Sequence, residues 1–190
     1  MKQQRQILIF EEGKVSVKPL KIAQIENYKD AFLEMIKEGL ETSFRILKSR
    51  PRSEYEIKSN LVRKNFLESE IELIVEELKK MKLVNDAQFV DFFLEGYQKN
   101  KPYGEFALRQ KLYEKGIVKD LIEEKLTEYY FSNSAEEEAY GLMIKRIDKY
   151  KNLSKMEKIK KMTAYLFSRG YEYSVIESVL SRAGVLDDLD

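Results

Sequence analysis

The chain has 190 residues, of which 43% are hydrophobic and 35% are charged, with a net charge of +1. This apolar content excludes a disordered chain, and the near-zero net charge excludes a global attraction to DNA or membranes. The absence of cysteine and histidine excludes disulfides, thiol nucleophiles, and the commonest general base and metal ligand. No apolar run is long enough for a signal peptide or a membrane span. We therefore expect a cytoplasmic protein that makes no membrane contact.

Strand-like sequence is confined to the N-terminal segment, which we place at residues 1–24. Its stretch QILIFEEGKVSV, residues 6–17, is compatible with a short β-hairpin that turns near Gly13. An isolated pair of strands is only marginally stable in water. We therefore expect the hairpin to be a minor addition to a fold that the rest of the chain determines.

The first helical unit is expected over residues 25–84. Apolar residues recur there at steps of three and four, which is the spacing of one face of a helix. Pro51 ends this helix, because proline disfavours a helical conformation in the residue before it. A middle helix follows, with Ser53 and Glu56 as a capping box and Asn65 as the left-handed residue that closes it. The stretch ESEIELIVEELKKM then predicts a third helix.

The second unit, residues 85–132, repeats the first about 50 residues later. Pro102 takes the place of Pro51 before the middle helix. Gly116 takes the place of Asn65 at its end, and the stretch KDLIEEKLTEYY predicts a third helix. Along the middle helix the matched pairs are Ser53 and Gly104, Glu54 and Glu105, Tyr55 and Phe106, Ile57 and Leu108, Leu61 and Leu112, Lys64 and Lys115, and Phe66 and Ile117.

A third copy lies in the unit that we place at residues 133–190, which ends in an acidic tail. The stretch KMTAYLFSRGY matches the end of the second middle helix, although its opening turn matches poorly. One such unit buries its apolar faces poorly alone, whereas stacked units form a continuous core. We therefore predict an all-α fold, an elongated tandem array of three three-helix repeats. The structural repeat positions are Pro51, Ser53, Leu61, Asn65, Asp86, Phe89, Pro102, Gly104, Leu112, Gly116, Leu166 and Gly170.

The sequence carries no catalytic signature, and it lacks a phosphate-binding glycine loop. Acidic residues cluster at residues 68–77 and 120–128, which leaves two interpretations. They form either a metal or acid–base site, or the solvated face of a third helix. Helical spacing divides these acids between solvent and edge positions, which favours the solvated face. We expect no enzymatic activity, no cofactor and no metal.

Basic residues concentrate around the first turn and the middle helix of each unit, whereas the third helices of the first two units are acidic. A repeated basic strip suits phosphates or the acidic loops of a partner protein. Lys64, Lys115 and Arg169 have another explanation, because cations in a last helical turn complement its carbonyl groups. Tyr103 would either stack on a base or pack between units, and packing is favoured. The candidate partner-binding residues are Arg50, Arg52, Lys58, Arg63, Lys99, Lys101, Tyr103, Arg109, Lys111 and Lys115.

Four stretches carry a family resemblance: LKSRPRSEYEIKSNL, IVEELKKMKLVNDAQFV, KPYGEFALRQKLYEKGI and YLFSRGYEYSVIESVL. In this order and spacing, across residues 31–180, they closely resemble the RecX family of regulators of the bacterial recombinase RecA. The resemblance implies tandem three-helix repeats without catalysis. It also implies a partner, the RecA filament on single-stranded DNA. Family members lie along the groove of that filament and limit its growth, its ATPase and strand exchange.

Particular residues match the family pattern or depart from it. Residues 50–53 match its most recognisable motif, and Asp86 and Phe89 match the aspartate and the aromatic residue that open the second unit. Asn65 stands where the family often has glycine. Residues 96–97 stand where many members have an arginine before the second linker. We expect a monomer, and the resemblance implies that it binds the RecA filament, with a DNA contact in the bound state left open.

Two other functions compete with this reading. The first is a helical repeat protein that binds single-stranded or duplex DNA directly, without RecA, and with a steep salt dependence. The second is an adaptor for some other protein. Sequence-specific reading of the major groove is disfavoured, because the third helices of the first two units carry mostly carboxylates, which phosphates repel.

Overall fold

Helices make up the body of the protein, after one short pair of strands. Strand β1 (Gln6–Glu11) pairs antiparallel with β2 (Lys14–Pro19), which confirms the N-terminal hairpin. Its expected turn near Gly13 lies outside the residues that the structure describes. No described helix is long and apolar enough to cross a membrane. The structure is a computed structural model that describes the backbone of residues 6–11, 14–19, 22–100 and 102–184, and the side chains of residues 31–97 and 102–184.

Nine α-helices follow in the described part of the chain. A 3₁₀ turn at Asp148–Tyr150 separates the seventh helix from the eighth. The helices are α1 (Ile22–Leu47), α2 (Glu54–Val62), α3 (Glu68–Lys80), α4 (Asp86–Asn100), α5 (Glu105–Glu114), α6 (Lys119–Ser132), α7 (Ala135–Ile147), α8 (Lys155–Ser168) and α9 (Tyr173–Arg182).

The helices fall into three groups of three. Helix α1 packs on α2 and α3, helices α4 and α5 pack on α6, and α7 packs on α8 and α9. Each group encloses its own apolar core, and each core contains one fully buried leucine of the middle helix: Leu61, Leu112 or Leu166. Phe89 is buried in the second core, as predicted. The described residues therefore confirm an all-α tandem array of three three-helix repeats.

The middle helices α2, α5 and α8 end in the same way. Asn65, Gly116 and Gly170 have φ values of 64°, 74° and 81°, in the left-handed region. The N–H of the following residue donates a 3.2 Å hydrogen bond to the carbonyl of the buried leucine in each repeat. This is the pattern of a left-handed helix closure. It confirms the predicted closing residues, including Asn65, whose short polar side chain tolerates the conformation.

The start of α2 differs from the prediction in one respect. The Ser53 hydroxyl accepts a 3.2 Å hydrogen bond from the Glu56 N–H, which is the first half of a capping box. The Glu56 carboxylate does not return the bond, because it binds Arg50 and Lys115 instead. The predicted capping box is therefore wrong in its second half.

Successive repeats join through their middle helices. At the first joint, the Ser53 hydroxyl at the start of α2 donates a 2.8 Å hydrogen bond to the Lys115 carbonyl at the end of α5. At the second joint, the Gly104 N–H at the start of α5 donates a 2.9 Å hydrogen bond to the Arg169 carbonyl at the end of α8. Because Ser53 and Gly104 are matched positions, the second joint repeats the arrangement of the first.

Glycines allow the middle helices to approach closely at both joints. A Cβ atom on Gly116 would overlap the side chain of Tyr55. A Cβ atom on Gly104 would overlap backbone atoms of Gly170 and Tyr171. Only glycine permits this approach, because every other residue carries the Cβ atom.

Candidate partner-binding surface

Glu56 binds two of the candidate cations at the first joint. The Arg50 guanidinium donates two hydrogen bonds to the Glu56 carboxylate, of 2.9 and 3.0 Å. The Lys115 ammonium, from the next repeat, donates another of 2.8 Å. Burial alone would raise the pKa of Glu56, but these hydrogen bonds lower that pKa to about 2. Arg50 and Lys115 therefore hold two repeats together by sharing the Glu56 carboxylate.

Asp86 has a structural role at the same joint. Its Oδ1 atom accepts a 2.8 Å hydrogen bond from the backbone N–H of Glu54, in the first turn of α2. Burial raises the pKa of Asp86. The Glu54 carboxylate in turn binds Lys58 at 2.7 Å and also contacts Lys79. The candidate cation Lys58 is thus paired within the first repeat.

Arg109 links the middle and third helices of the second repeat. Its Nη2 atom lies 2.7 Å from the Glu105 carboxylate, and its Nε and Nη2 atoms lie 3.0 and 2.8 Å from that of Glu123. The hydrogen bond to Glu123 is the main cause of the raised pKa of Arg109. Arg109 is therefore bound on both sides by its own repeat.

Tyr103 packs between the second and third repeats. Its ring lies edge-on to Tyr97, with centroids 5.1 Å apart. The Lys111 ammonium lies 4.8 Å from its centroid, and the Arg169 guanidinium of the next repeat lies 4.7 Å from it. Such cation–π contacts are favourable when partly shielded from water. Tyr103 and Lys111 therefore make packing contacts at the second joint. For Tyr103, this is the role that the sequence analysis favoured over stacking on a base.

The remaining candidate cations are less constrained. Arg52 donates a 3.4 Å hydrogen bond to the Ser49 hydroxyl, and Arg63 donates one of 3.2 Å to the Ser59 carbonyl. Among the residues whose side chains are described, neither cation pairs with a carboxylate. Lys101 and the side chain of Lys99 lie outside the described residues. Of the candidate cations whose side chains are described, Arg52 and Arg63 are therefore the best placed to meet a partner.

Some members of the acidic clusters of the third helices serve as ion-pair partners. Glu123 binds Arg109, and Glu77 binds Lys80 at 2.6 Å. The prediction of a solvated face is wrong for Glu70, which is buried. Its carboxylate accepts a 2.7 Å hydrogen bond from the backbone N–H of Leu67, the residue before α3. Across the described ranges, no group of three acidic side chains is arranged to hold a metal ion.

An apolar groove of about 850 Å³ lies between α2 and α3. Tyr55, Val62 and Leu67 line it, and each is more than half exposed. Counting charges along the sequence cannot find such a surface, because its members are uncharged. The signal that points to it is the repeat alignment, in which Tyr55 matches Phe106 and both are exposed.

Comparisons with known proteins identify the family. The second three-helix domain of RecX matches residues 85–126, and the third matches residues 135–180. The regulatory protein RecX of Chlorobium phaeobacteroides is 30% identical over 148 residues, which are 77% of this chain and 93% of that relative. The chain belongs to the RecX family.

Other RecX proteins agree in sequence and in fold. That of Clostridium botulinum is 31% identical and covers 93% of this chain and 82% of its own length. The chain spans 57% of the longer RecX of Bacillus pumilus, at 30% identity. The crystal structure of RecX from Lactobacillus salivarius matches 81% of this chain and 99% of its own, with a TM-score of 0.72 at 21% identity. At that identity, the structural likeness supports the tandem helical fold alone.

Proposed function

We propose that the protein is a non-enzymatic regulator of RecA. It binds along or at the end of the RecA filament on single-stranded DNA and limits filament growth, ATPase activity and strand exchange during recombination and DNA repair. Membership of a family whose relatives are named regulatory proteins supports this proposal. The protein acts in the cytoplasm as a monomer and needs no cofactor.

The observation that carries the proposal is the repetition of one joint along the array. The Ser53–Lys115 bond and the Gly104–Arg169 bond place successive repeats in matched arrangements. A filament of identical subunits presents the same surface many times. A protein built of matched repeats can therefore make several weak contacts with successive subunits, and together these contacts give a high overall affinity. The units that would each contribute a contact are residues 25–84, 85–132 and 133–190.

Direct binding to nucleic acid has less support. Affinity for phosphates depends on cations that neutralise them. Four of the candidate cations already bind carboxylates of this chain: Arg50, Lys58, Arg109 and Lys115. These four cations are therefore not free to neutralise the phosphates of a nucleic acid.

The test is a titration of the protein into cognate RecA on single-stranded DNA, from far below to equal stoichiometry, with ATPase activity as the readout. Inhibition well below one protein per RecA indicates that filament ends are blocked. Inhibition only near saturation indicates occupancy along the filament. ATPase activity that stays constant at every ratio overturns the proposed function.

Replacing Arg52 and Arg63 together by glutamate is expected to weaken filament binding about tenfold, or about 1.4 kcal/mol. The physical reason is that these two cations lack a carboxylate partner among the described side chains. Arg50 is left in place because its loss would open the first joint. Cosedimentation with preformed filaments measures the effect, and circular dichroism checks the fold.

The matched control is the double variant K37E/K80E, which changes the net charge equally at two exposed sites on α1 and α3. It is expected to bind like the wild-type protein. If R52E/R63E also binds like the wild type, these cations are not part of the binding surface.

A further inference from the structure

Exposed apolar side chains recur at matched positions of the three repeats. One position is the second residue of the middle helix, and another is the third residue before the left-handed closure. In the first two repeats, a further one is the N-cap of the third helix. Single exposed apolar residues are common, but recurrence at the same positions indicates a shared surface. This apolar stripe consists of Tyr55, Val62 and Leu67 in the first repeat, Phe106, Tyr113 and Val118 in the second, and Met156 and Phe167 in the third.

The N-cap members of the stripe are costly to the helices that they start. Leu67 precedes α3 and Val118 precedes α6, and neither side chain can accept a capping hydrogen bond. Leucine and valine are among the least favourable N-cap residues, whereas serine and aspartate are among the best. These two side chains are also 65% and 67% exposed, so they contribute little to either core. Neither helix stability nor core packing explains them.

The stripe includes an open groove in the first repeat. In the second repeat, Arg109 on α5 reaches across to Glu123 on α6. The matched residues in the first repeat are Lys58 and Glu72. Lys58 binds Glu54 on its own helix instead, at 2.7 Å. The space between α2 and α3 is therefore left open as the groove of about 850 Å³.

The stripe continues from one repeat to the next. At the first joint, the Tyr55 side chain packs against Gly116. Gly116 lies between Tyr113 and Val118 along the chain, so the first repeat's part of the stripe meets the second repeat's part there. At the second joint, Gly170 packs against Ala107, the residue after Phe106 in α5. The apolar surface is therefore continuous across the first joint, and the second joint brings its second-repeat and third-repeat parts near each other.

We propose that the apolar stripe docks an amphipathic segment of a protein partner, whose apolar side chains enter the groove of the first repeat. The rims of the groove carry opposite charges. Lys58 on α2 and Arg63 directly after it lie on one rim, and Glu68 and Glu72 on α3 lie on the other. A matching segment has carboxylates on the flank that faces α2 and cations on the flank that faces α3. Nucleic acid fits less well, because the two carboxylates would face its phosphates.

This inference rests on the proposed function and deepens it. It assigns the contact with RecA subunits to apolar side chains, whereas Arg50 and Lys115 serve the first joint and Lys58 and Arg109 are paired within their own repeats. The affinity for the filament is then expected to change little with salt concentration, because salt screens exposed charges but not apolar contacts.

The test replaces Leu67 and Val118 together by serine. Serine is the better N-cap residue, so the unfolding temperature is expected to stay the same or to rise. Binding to preformed RecA filaments on single-stranded DNA is expected to fall at least tenfold, as measured by cosedimentation. The conservative variant L67M/V118I is expected to keep wild-type binding. The matched control F131S removes a side chain that is 92% exposed and lies outside the stripe, and it is also expected to bind normally.

Each outcome bears on one of the two proposals. If the wild-type protein binds the filament and L67S/V118S binds equally well, the docking inference is overturned and the proposed function stands. If the wild-type protein binds no filament, the proposed function is overturned. Binding to bare single-stranded DNA is measured in parallel by fluorescence anisotropy. An equal loss there would make the stripe a nucleic-acid surface and overturn the protein partner, whereas a loss confined to RecA filaments supports it.

Discussion

Replacement of Gly104 by alanine is expected to lower the free energy of unfolding by roughly 3 kcal/mol, the upper end for overpacking a tight contact. The added methyl group would overlap the carbonyl of Gly170 and the amide of Tyr171. These are backbone atoms, which cannot move aside as the end of a flexible side chain can. Urea denaturation measures the loss. Filament binding is also expected to fall, because the second and third repeats can no longer meet in register.

The control for this substitution is Gly141→Ala in α7. Gly141 lies inside α7, whereas Gly104 is the extended residue before α5, and a Cβ atom on Gly141 meets no atom within 4 Å. Alanine is the better helix former, so G141A is expected to stabilise the protein by about 0.5–1 kcal/mol. A G104A variant as stable as the wild type would contradict the close contact at the second joint.

Removal of the Glu56 carboxylate is expected to have the second largest effect. The variant E56A leaves Arg50 and Lys115 facing each other at the first joint without their shared counter-charge. Hydrogen bonds to charged groups contribute about 1.5–3 kcal/mol, and partial exposure of the two cations places the expected loss at about 2 kcal/mol. Urea denaturation at pH 7 measures it. The control is E77Q, which breaks an exposed pair with Lys80 and is expected to leave stability unchanged.

The same carboxylate predicts a pH dependence. The pKa of Glu56 is lowered in the folded protein, from an ordinary value of 4.5 to about 2. The stabilisation is therefore fully present above pH 4.5 and is lost as the pH falls from there toward 2. The stability difference between the wild type and E56Q should be constant at neutral pH and should shrink in acid. A difference that grows in acid would contradict the assigned role of Glu56.

Much of the fold follows from the sequence, because helical periodicity and repetition report burial directly. Leu61, Leu112 and Leu166 are predicted from their matched positions, and all three are fully buried. Asn65 and Gly116 are predicted from the conformational freedom that a helix closure requires, and both have positive φ. These features depend on local spacing, which one sequence displays in full.

The candidate partner-binding surface is harder to predict from the sequence, because the pairing of charged side chains depends on the three-dimensional structure. Lys115 lies 59 residues from Glu56 in the sequence, and only the stacking of repeats brings them together. A count of cations therefore ranks Arg50 and Lys115 as binding residues, whereas the structure places both in a joint. The exposed position of Val62 likewise cannot be read from its apolar character, since apolar residues are usually taken as core.

The two joints between repeats differ in how they respond to acid. At the first joint, protonation of Glu56 releases Arg50 and Lys115. Between the second and third repeats, the Tyr129 hydroxyl donates a 2.6 Å hydrogen bond to Glu138, and burial raises the pKa of Glu138 above its ordinary value. Protonation of Glu138 removes the cost of a buried charge, although the hydrogen bond from Tyr129 favours the charged form. Acid therefore removes the ion pairs of the first joint but relieves a buried charge at the second, so a falling pH weakens the first joint relative to the second.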